Sequence, residues 1–186
     1  MLADFGMTIK GQSMEVEIRI EAVNDFSDVY DLNKISFGQE SEPKLIDLLR
    51  KSNAFIPGLS LVAKMNNKIV GYILFTKIKI KDDNGKEIES LALAPMAVRP
   101  DLQKQGIGGK LIRYGLSKAT ELGYKSVIVL GHEHYYPKFG FVPAERWKIK
   151  APFDVPTNVF MGIELVKNGL TDVTGTVQYP KEFEMA

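Results

Sequence analysis

Two short turn signals constrain this chain more than any other feature. Asn66-Asn67 separates the run LSLVAKM (Leu59–Met65) from KIVGYILFTKIKI (Lys68–Ile80), and DDNGK (Asp82–Lys86), carrying Asn84-Gly85, separates the latter from EIESLALAPMAV (Glu87–Val98). The runs are rich in β-branched and apolar residues, and Asn and Gly accept the positive φ that a tight hairpin turn demands. Three strands joined by two hairpins form an antiparallel meander. Pro95 falls inside the third run, where a proline marks a bulge or an edge because it donates nothing to the ladder. Pro57-Gly58, just ahead of the first run, reads as a chain break.

Around this meander the periodicity alternates between two and 3.6. EVEIRIEAV (Glu15–Val23) alternates charged and apolar residues, as a half-buried strand does. A helix capped by Asn24 or Asp25 runs to Phe37, and a second covers Glu42–Ser52, with Pro43 in its first turn and Leu45, Leu48 and Leu49 on one face. A third runs from Gly108 to about Leu122. It places Ile107, Leu111, Gly115 and Ala119 on one stripe, with Ile112, Leu116 and Leu122 beside it, and Gly123 ends it in the C′ position. KSVIVLG (Lys125–Gly131) is a buried strand and NVFMGIELV (Asn158–Val166) another, and the tail GTVQYPKEF is extended. A meander with a single crossover helix makes the fold class α+β rather than a doubly wound nucleotide fold.

The chain has 186 residues, the size of one domain; residues 14–186 form it, and residues 1–13 read as an N-terminal extension, vector-derived or from an alternative start. A net charge of +1 gives no reason to expect nucleic acid or an anionic membrane as a partner. The absence of cysteine excludes disulfides, thiolate metal sites and a cysteine nucleophile, and fits a cytoplasmic protein. Neither a signal peptide nor a membrane-length apolar run is legible.

RPDLQKQGIGGKL (Arg99–Leu111) sets three glycines at the start of a helix. A Walker A loop fails twice, with Lys104 where its first glycine belongs and Leu111 where it needs Ser or Thr. A dinucleotide fingerprint fails at its third glycine, since Gly106 and Gly108 are followed by Leu111. The spacing that fits is Gln103-x-x-Gly106-x-Gly108, after a strand and before a helix. Unpaired N–H groups and the dipole of a first helical turn attract anions, and glycines let the backbone approach them closely. Lys104, Lys110 and Arg113 add positive charge. The competing reading is a glycine-rich turn that caps a helix.

QxxGxG after a strand ending in APMAV, followed by YYPKFGF, resembles the GNAT superfamily of acyl-CoA N-acyltransferases, and YYPKFGFVPA with GTVQYP is similar to a bacterial subgroup of N-acetyltransferases. The likeness runs from Glu15 through Val166. It implies the acyl-CoA N-acyltransferase fold, a mixed, mostly antiparallel central sheet flanked by helices. It also implies an acetyl-CoA-dependent transferase that moves acetyl directly to a primary amine. By this resemblance the coenzyme A pyrophosphate lies on the backbone of Gln103, Lys104, Gln105, Gly106, Ile107, Gly108 and Gly109. The pantetheine arm pairs with Met96, Ala97 and Val98, and the Met96 N–H faces the thioester oxygen. Tyr136 takes the position beside the thioester sulfur, where a phenol can protonate or hydrogen-bond the leaving thiolate; its alternative role, with Tyr135, is packing. Lys138 either meets coenzyme A phosphates or is a solvated lysine. Phe139, Gly140 and Phe141 are structural.

An alkyl amine is mostly protonated at neutral pH, so a general base or a water relay is expected. The position of the glutamate used by some relatives falls at about Ala92. Glu87 and Glu89, His132 and His134 are the candidates, each with a surface role as its alternative. His132-x-His134 with Glu133 lacks a third ligand, so no metal is expected. The acceptor side is expected at Ser36–Pro43, where Glu40 and Glu42 either attract a cationic amine or form a solvated turn. It extends to Glu145–Asn158, where Trp147, Phe153 and Phe160 wall a pocket or complete the core. The acceptor is a small-molecule or peptide amine, and the protein a monomer or homodimer. Two other functions stay open: a non-catalytic coenzyme A-binding sensor or scaffold, and a nucleotide-binding module of another kind.

Overall fold

The computed structural model describes residues 15–186; the expectations for the extension and for Met14 lie outside the described residues. In chain order, β1 (Glu17–Ile20) leads through a short 3₁₀ turn to α1 (Phe26–Phe37) and α2 (Ser41–Leu49). The meander follows as β2 (Phe55–Met65), β3 (Lys68–Lys81) and β4 (Glu87–Val98), then α3 (Ile107–Glu121) and β5 (Ser126–Leu130). The C-terminal part holds β6 (Val142–Pro143), β7 (Ile149–Lys150), β8 (Phe160–Glu164), β9 (Gly175–Gln178) and α4 (Glu182–Met185). Both hairpins form: Asn66 and Asn67 take φ of 50° and 61°, and Gly85 takes 83°. Gly123 follows α3 with φ of 88°.

The sheet runs β1-β2-β3-β4-β5-β8-β6, antiparallel except where α3 returns the chain to lay β5 parallel to β4. The α+β reading holds. Beyond the end of β2, β9 pairs with β3 through Lys79–Lys81, and β7 lies parallel to β9. Alternation along β3 sorts the core onto two faces. Ile73 and Phe75 point with Leu91, Leu93, Val127 and Val129 toward Ile107, Leu111 and Ile112 of α3. Tyr72 and Leu74 meet Val29 and Leu32 of α1 and Ile46 and Leu49 of α2, whereas Ile78 and Ile80, on the same face, meet the C-terminal layer of Ile149, Phe160 and Val177.

Several expectations need correction. Pro57-Gly58 does not break the chain: it lies within β2, in a register shift between Phe55 and Ser60, with Pro57 exposed. A proline is tolerated where the ladder is already interrupted. The first strand stops at Ile20, and the Asp25 carboxylate caps no helical N–H of α1 but accepts from Arg19 and from the Ala22 N–H. The second helix spans Ser41–Leu49 only. Leu122 is 53% exposed instead of packing, and the tail passes from β9 into the short α4.

Gly115 marks where α3 presses closest on the sheet. A Cβ there would lie 2.3 Å from Cε2 of the buried Phe75. Gly115→Ala is therefore expected to destabilise the fold by about 1–3 kcal/mol through overpacking, against alanine's better helix propensity. Thermal unfolding measures it, at about 2–4 °C per kcal/mol. An unchanged midpoint would mean that α3 can recede from Phe75.

Candidate active site

The site begins where β4 and β5 part. Their parallel ladder registers Leu91 with Val127 and Ala92 with Ile128, and no later pair exists among the described residues. Just beyond, β4 bulges: Leu93 pairs with Phe75 and Met96 with Ile73, leaving Ala94 and Pro95 against Leu74 alone. Two residues opposing one bend the strand, and β4 turns away from β5. The Arg99 N–H donates to the Val70 carbonyl on β3 at 2.9 Å. By the alternation of an antiparallel ladder, Ala97 also faces β3, while the backbone groups of Met96 and Val98 face the open edge. The Val98 carbonyl already accepts from Ser36 Oγ at 3.2 Å and Gln103 Nε2 at 3.1 Å.

The glycine loop closes the same end of the cleft. Lys104 and Gly106 take left-handed φ of 63° and 87°, which turns the chain into α3. The helix starts without a side-chain cap, and its first backbone bond of this turn runs from the Lys110 N–H to the Gly106 carbonyl at 3.0 Å. The N–H groups of Ile107, Gly108 and Gly109 therefore have no partner within the helix. Two side chains occupy the space that Cβ atoms would take here. Tyr135 Oη lies 2.6 Å from the ideal Cβ position of Gly108, and an Arg113 guanidinium nitrogen 3.1 Å from that of Gly109. Arg113 also stands over the Phe139 ring, 5.0 Å from its centroid, and Lys138 Nζ lies 5.9 Å from that of Tyr135.

Tyr136 sits at the end of β5, its ring against the Gly131 backbone and edge-on to Tyr135 and Phe141. It is 8% exposed, and burial pushes its phenol well above the ordinary range. Among the described residues its hydroxyl makes no hydrogen bond, yet it is absent from the sealed unpaired polar atoms, Asn33 Oδ1 and Thr76 Oγ1. Among the described residues the hydroxyl is thus unengaged, on a fixed ring.

A family model described as "Acetyltransferase (GNAT) domain" matches residues 57–143, from β2 to β6. The uncharacterized N-acetyltransferase YjhQ of Escherichia coli K12 is 38% identical over 134 residues, 72% of this chain and 74% of its own. The chain belongs to the GNAT family of acetyltransferases. The uncharacterized N-acetyltransferase YhbS of the same organism is 28% identical over 166 residues, covering 89% of this chain and 97% of its own. The crystal structure of E. coli YhbS in complex with CoA superposes with a TM-score of 0.85 at 29% identity, over 92% of this chain and 93% of that one. A GNAT family acetyltransferase from Brucella melitensis in complex with acetyl-CoA gives 0.74 at 28% identity, over 91% and 99%.

Within this GNAT fold the residues singled out from sequence separate into near and far. Met96, Val98, the loop from Gln103 to Gly109, Tyr136 and Lys138 gather around one cleft, whereas Ala97 turns its backbone to β3 and its side chain into the α1–α2 layer. Glu87 and Glu89 do not gather there: at about 3.3 Å per residue they lie roughly 30 and 23 Å along β4 from Met96. Neither reaches the cleft directly, and Glu87 is held by Lys79, which lowers its carboxyl pKa. His134 projects into solvent with its side chain 91% exposed, and the His132 carbonyl anchors the turn that carries Tyr135 and Tyr136. Glu40 is already occupied, paired with Lys34 at 2.8 Å and Lys44 at 2.9 Å, which pull its carboxyl down to about 2. Glu42 accepts from Gln39 and Ser41. Among the described residues no group of three His, Asp or Glu could hold a metal, and no helix is long and apolar enough to cross a membrane. Arg113, four residues after Gly109 on the same helix, was legible as part of the loop's positive charge, but the position of Tyr135 against the first turn of α3 was not; its one available signal was the pair of adjacent small residues, Gly108 and Gly109.

Proposed function

We propose that this chain transfers acetyl from acetyl-CoA directly to a primary amine, using the cleft between β4 and β5. The observation that carries the reading is the coincidence at one end of the cleft of two unsatisfied backbone arrays: the uncapped first turn of α3 and the open edge of β4 at Met96. The first suits a pyrophosphate, through N–H groups that need an acceptor and a positive helix end. Lys104, Lys110, Arg113 and Lys138 supply the charge complement, and Gln103 fixes the loop to the strand through the Val98 carbonyl. The second suits an extended amide chain that adds to a strand edge. The acetyl-CoA-bound Brucella relative and CoA-bound YhbS support the same assignment.

Bound there, acetyl-CoA supplies the thioester carbonyl that the amine attacks. The Met96 N–H donates to the oxygen as charge develops on it. Tyr136 donates a hydrogen bond to the departing sulfur. Its raised pKa keeps the phenol protonated throughout the neutral range, so the hydroxyl is available as a hydrogen-bond donor to the sulfur. With no carboxylate of β4 in reach, the amine's proton leaves through water. The chain has no cysteine, so no acyl-cysteine relay competes with direct transfer.

Calorimetric titration tests the reading, with ATP and NAD as controls. Micromolar binding of acetyl-CoA is expected, and neither control should match it. Equal or tighter binding of ATP or NAD would favour a nucleotide-binding module instead, and no acetyl-CoA binding would reduce the loop to a helix cap.

A further inference from the structure

A second cavity lies on the sheet face opposite α3. It has a volume of ≈ 410 Å³ and is formed by the segment after β6 together with Phe160 of β8. Register fixes its height in the sheet. Phe160 pairs with Leu130 of β5, two residues past the Ile128 that pairs with Ala92 at the last rung of the β4–β5 ladder. The cavity therefore stands level with the β4 bulge and two strand spacings away, about 10 Å. Its volume is at the low end of small-molecule sites, which run from roughly 300 to 1,000 Å³, so it suits one compact ligand rather than a macromolecular surface.

The lining is of two kinds. Phe153, Val155 and Phe160 make an apolar wall. Phe153 is 48% exposed yet fixed: it stacks on Tyr179, centroids 6.2 Å apart and planes 14° apart, and Tyr179 packs in turn on Phe183 at 5.0 Å. An exposed aromatic held by a partly buried one presents a flat apolar surface with little entropy left to lose. The rim carries Lys148 and Lys150 beside Glu145 and Asp154. Among the described residues none of these four forms an ion pair, although opposite charges stand in one cavity. A rim with both signs unpaired, around an apolar wall, complements a zwitterion with an apolar body.

We propose that this cavity holds the acyl acceptor, and that the acceptor is a free α-amino acid with a large apolar side chain. The proposal rests on the transferase reading above. Lys148 and Lys150 take the α-carboxylate, the side chain lies against Phe153 and Phe160, and Glu145 and Asp154 complement the ammonium form in which the amine arrives. After losing one proton to water, the amine nitrogen bonds to the thioester carbon. The carbon–sulfur bond breaks, the thiolate leaves, and the nitrogen's second proton is released, giving an N-acetyl amino acid and coenzyme A.

The experiment compares kcat/KM, read as thiol release from acetyl-CoA, for L-phenylalanine and L-leucine against glycine, 2-phenylethylamine and spermidine. The two apolar amino acids are expected to exceed each of the others about tenfold or more, the worth of one charge-assisted contact or one buried side chain. Lys148→Asn, which keeps a residue tolerant of the φ of 57° found there, and Lys150→Gln should each lower the rate with phenylalanine about tenfold while sparing phenylethylamine. Phe153→Ala should weaken phenylalanine relative to glycine. Acetyl-CoA affinity, measured separately, should not move in any variant. Trp147, the only tryptophan in the chain and next to the rim, gives an independent fluorescence titration of the cavity with each amine. Preference for phenylethylamine or spermidine, or no turnover and no Trp147 response by a protein that binds acetyl-CoA, overturns the acceptor class alone. Failure to bind acetyl-CoA overturns the transferase reading instead.

Discussion

Tyr136→Phe is expected to lower kcat by about 10²-fold or more, the usual worth of a positioned proton or hydrogen-bond donor, with little change in the affinity for acetyl-CoA or in the thermal midpoint. The three readouts separate function from packing. The ring stays wedged against Gly131 and edge-on to Phe141, so the substitution removes one oxygen and no contact surface. That oxygen has no partner among the described residues, and its loss leaves no orphaned group in the protein. If Tyr136 serves only as packing, kcat stays at the wild-type level and the midpoint holds or rises. The pH profile gives a second check. Burial raises the phenol's pKa, so the active protonated form persists through the neutral range. The wild-type rate should climb with pH as the acceptor amine deprotonates, with no falling limb from Tyr136 near the ordinary phenol value of about 10. A falling limb there that vanishes in the phenylalanine variant would show that the bound state relieves the burial.

The meander was legible because its turns leave little choice. Asn66, Asn67 and Gly85 take the positive φ that such turn residues allow, and everything from Leu59 to Val98 follows from two hairpins. Pro95 as a bulge was legible for the same kind of reason, since a proline cannot continue a ladder. Pro57 shows the limit of that rule. It too interrupts a ladder, but inside a strand that re-registers around it, and the propensity of two residues cannot tell a bulge from a break. β6 and β7 have two residues each, too few for any period. Their existence depends on β8 and β9, which lie far along the chain.

The cofactor side of the site was legible because it is local. Gln103 to Gly109 form one loop, and their chemistry is a property of the backbone, which glycine spacing reveals. The acceptor side is assembled from distant segments. Glu87 and Glu89 do share a strand face, as period two requires, but the face says nothing about height along the strand, and both stand far from the bulge. Of the three aromatics left as pocket wall or core, Phe153 lines the cavity, Phe160 lines it while completing the core at 4% exposure, and Trp147 packs behind it, near Gly162. Nothing in the sequence pairs Phe153 with Tyr179; that stack exists because β9 returns to β3.

Arg50→Ala is expected to destabilise the protein by about 3–5 kcal/mol, the cost of leaving a buried charge without its partner. Arg50 follows α2 with its side chain 7% exposed, and Glu21, which it pairs with, is 1% exposed. The guanidinium also bonds Asp47 at 2.6 Å and stands 3.9 Å from the Phe26 ring centroid. Glu21 accepts from Ser60 Oγ at 2.7 Å, and Ser60 lies 2.8 Å from the hydroxyl of fully buried Tyr72. Truncating Arg50 therefore strands a carboxylate between a serine and a tyrosine whose own pKa burial has raised. Against a total stability of roughly 5–15 kcal/mol, the thermal midpoint should fall by about 6–20 °C. Arg50→Lys should recover little, because an ammonium cannot serve two carboxylates and a ring face with one planar fork. Arg50→Met with Glu21→Gln should recover much of the loss, because it removes both charges. The network joins the segment after β1, α2, β2 and β3, and so seats the α1–α2 layer whose Ser36 bonds the Val98 carbonyl at the cleft. Weaker acetyl-CoA binding should therefore accompany the lower midpoint in Arg50→Ala and return with it in the double variant. A lower midpoint with unchanged acetyl-CoA binding would confine the network to holding the layer, and separate the stability of that layer from the cofactor edge of β4.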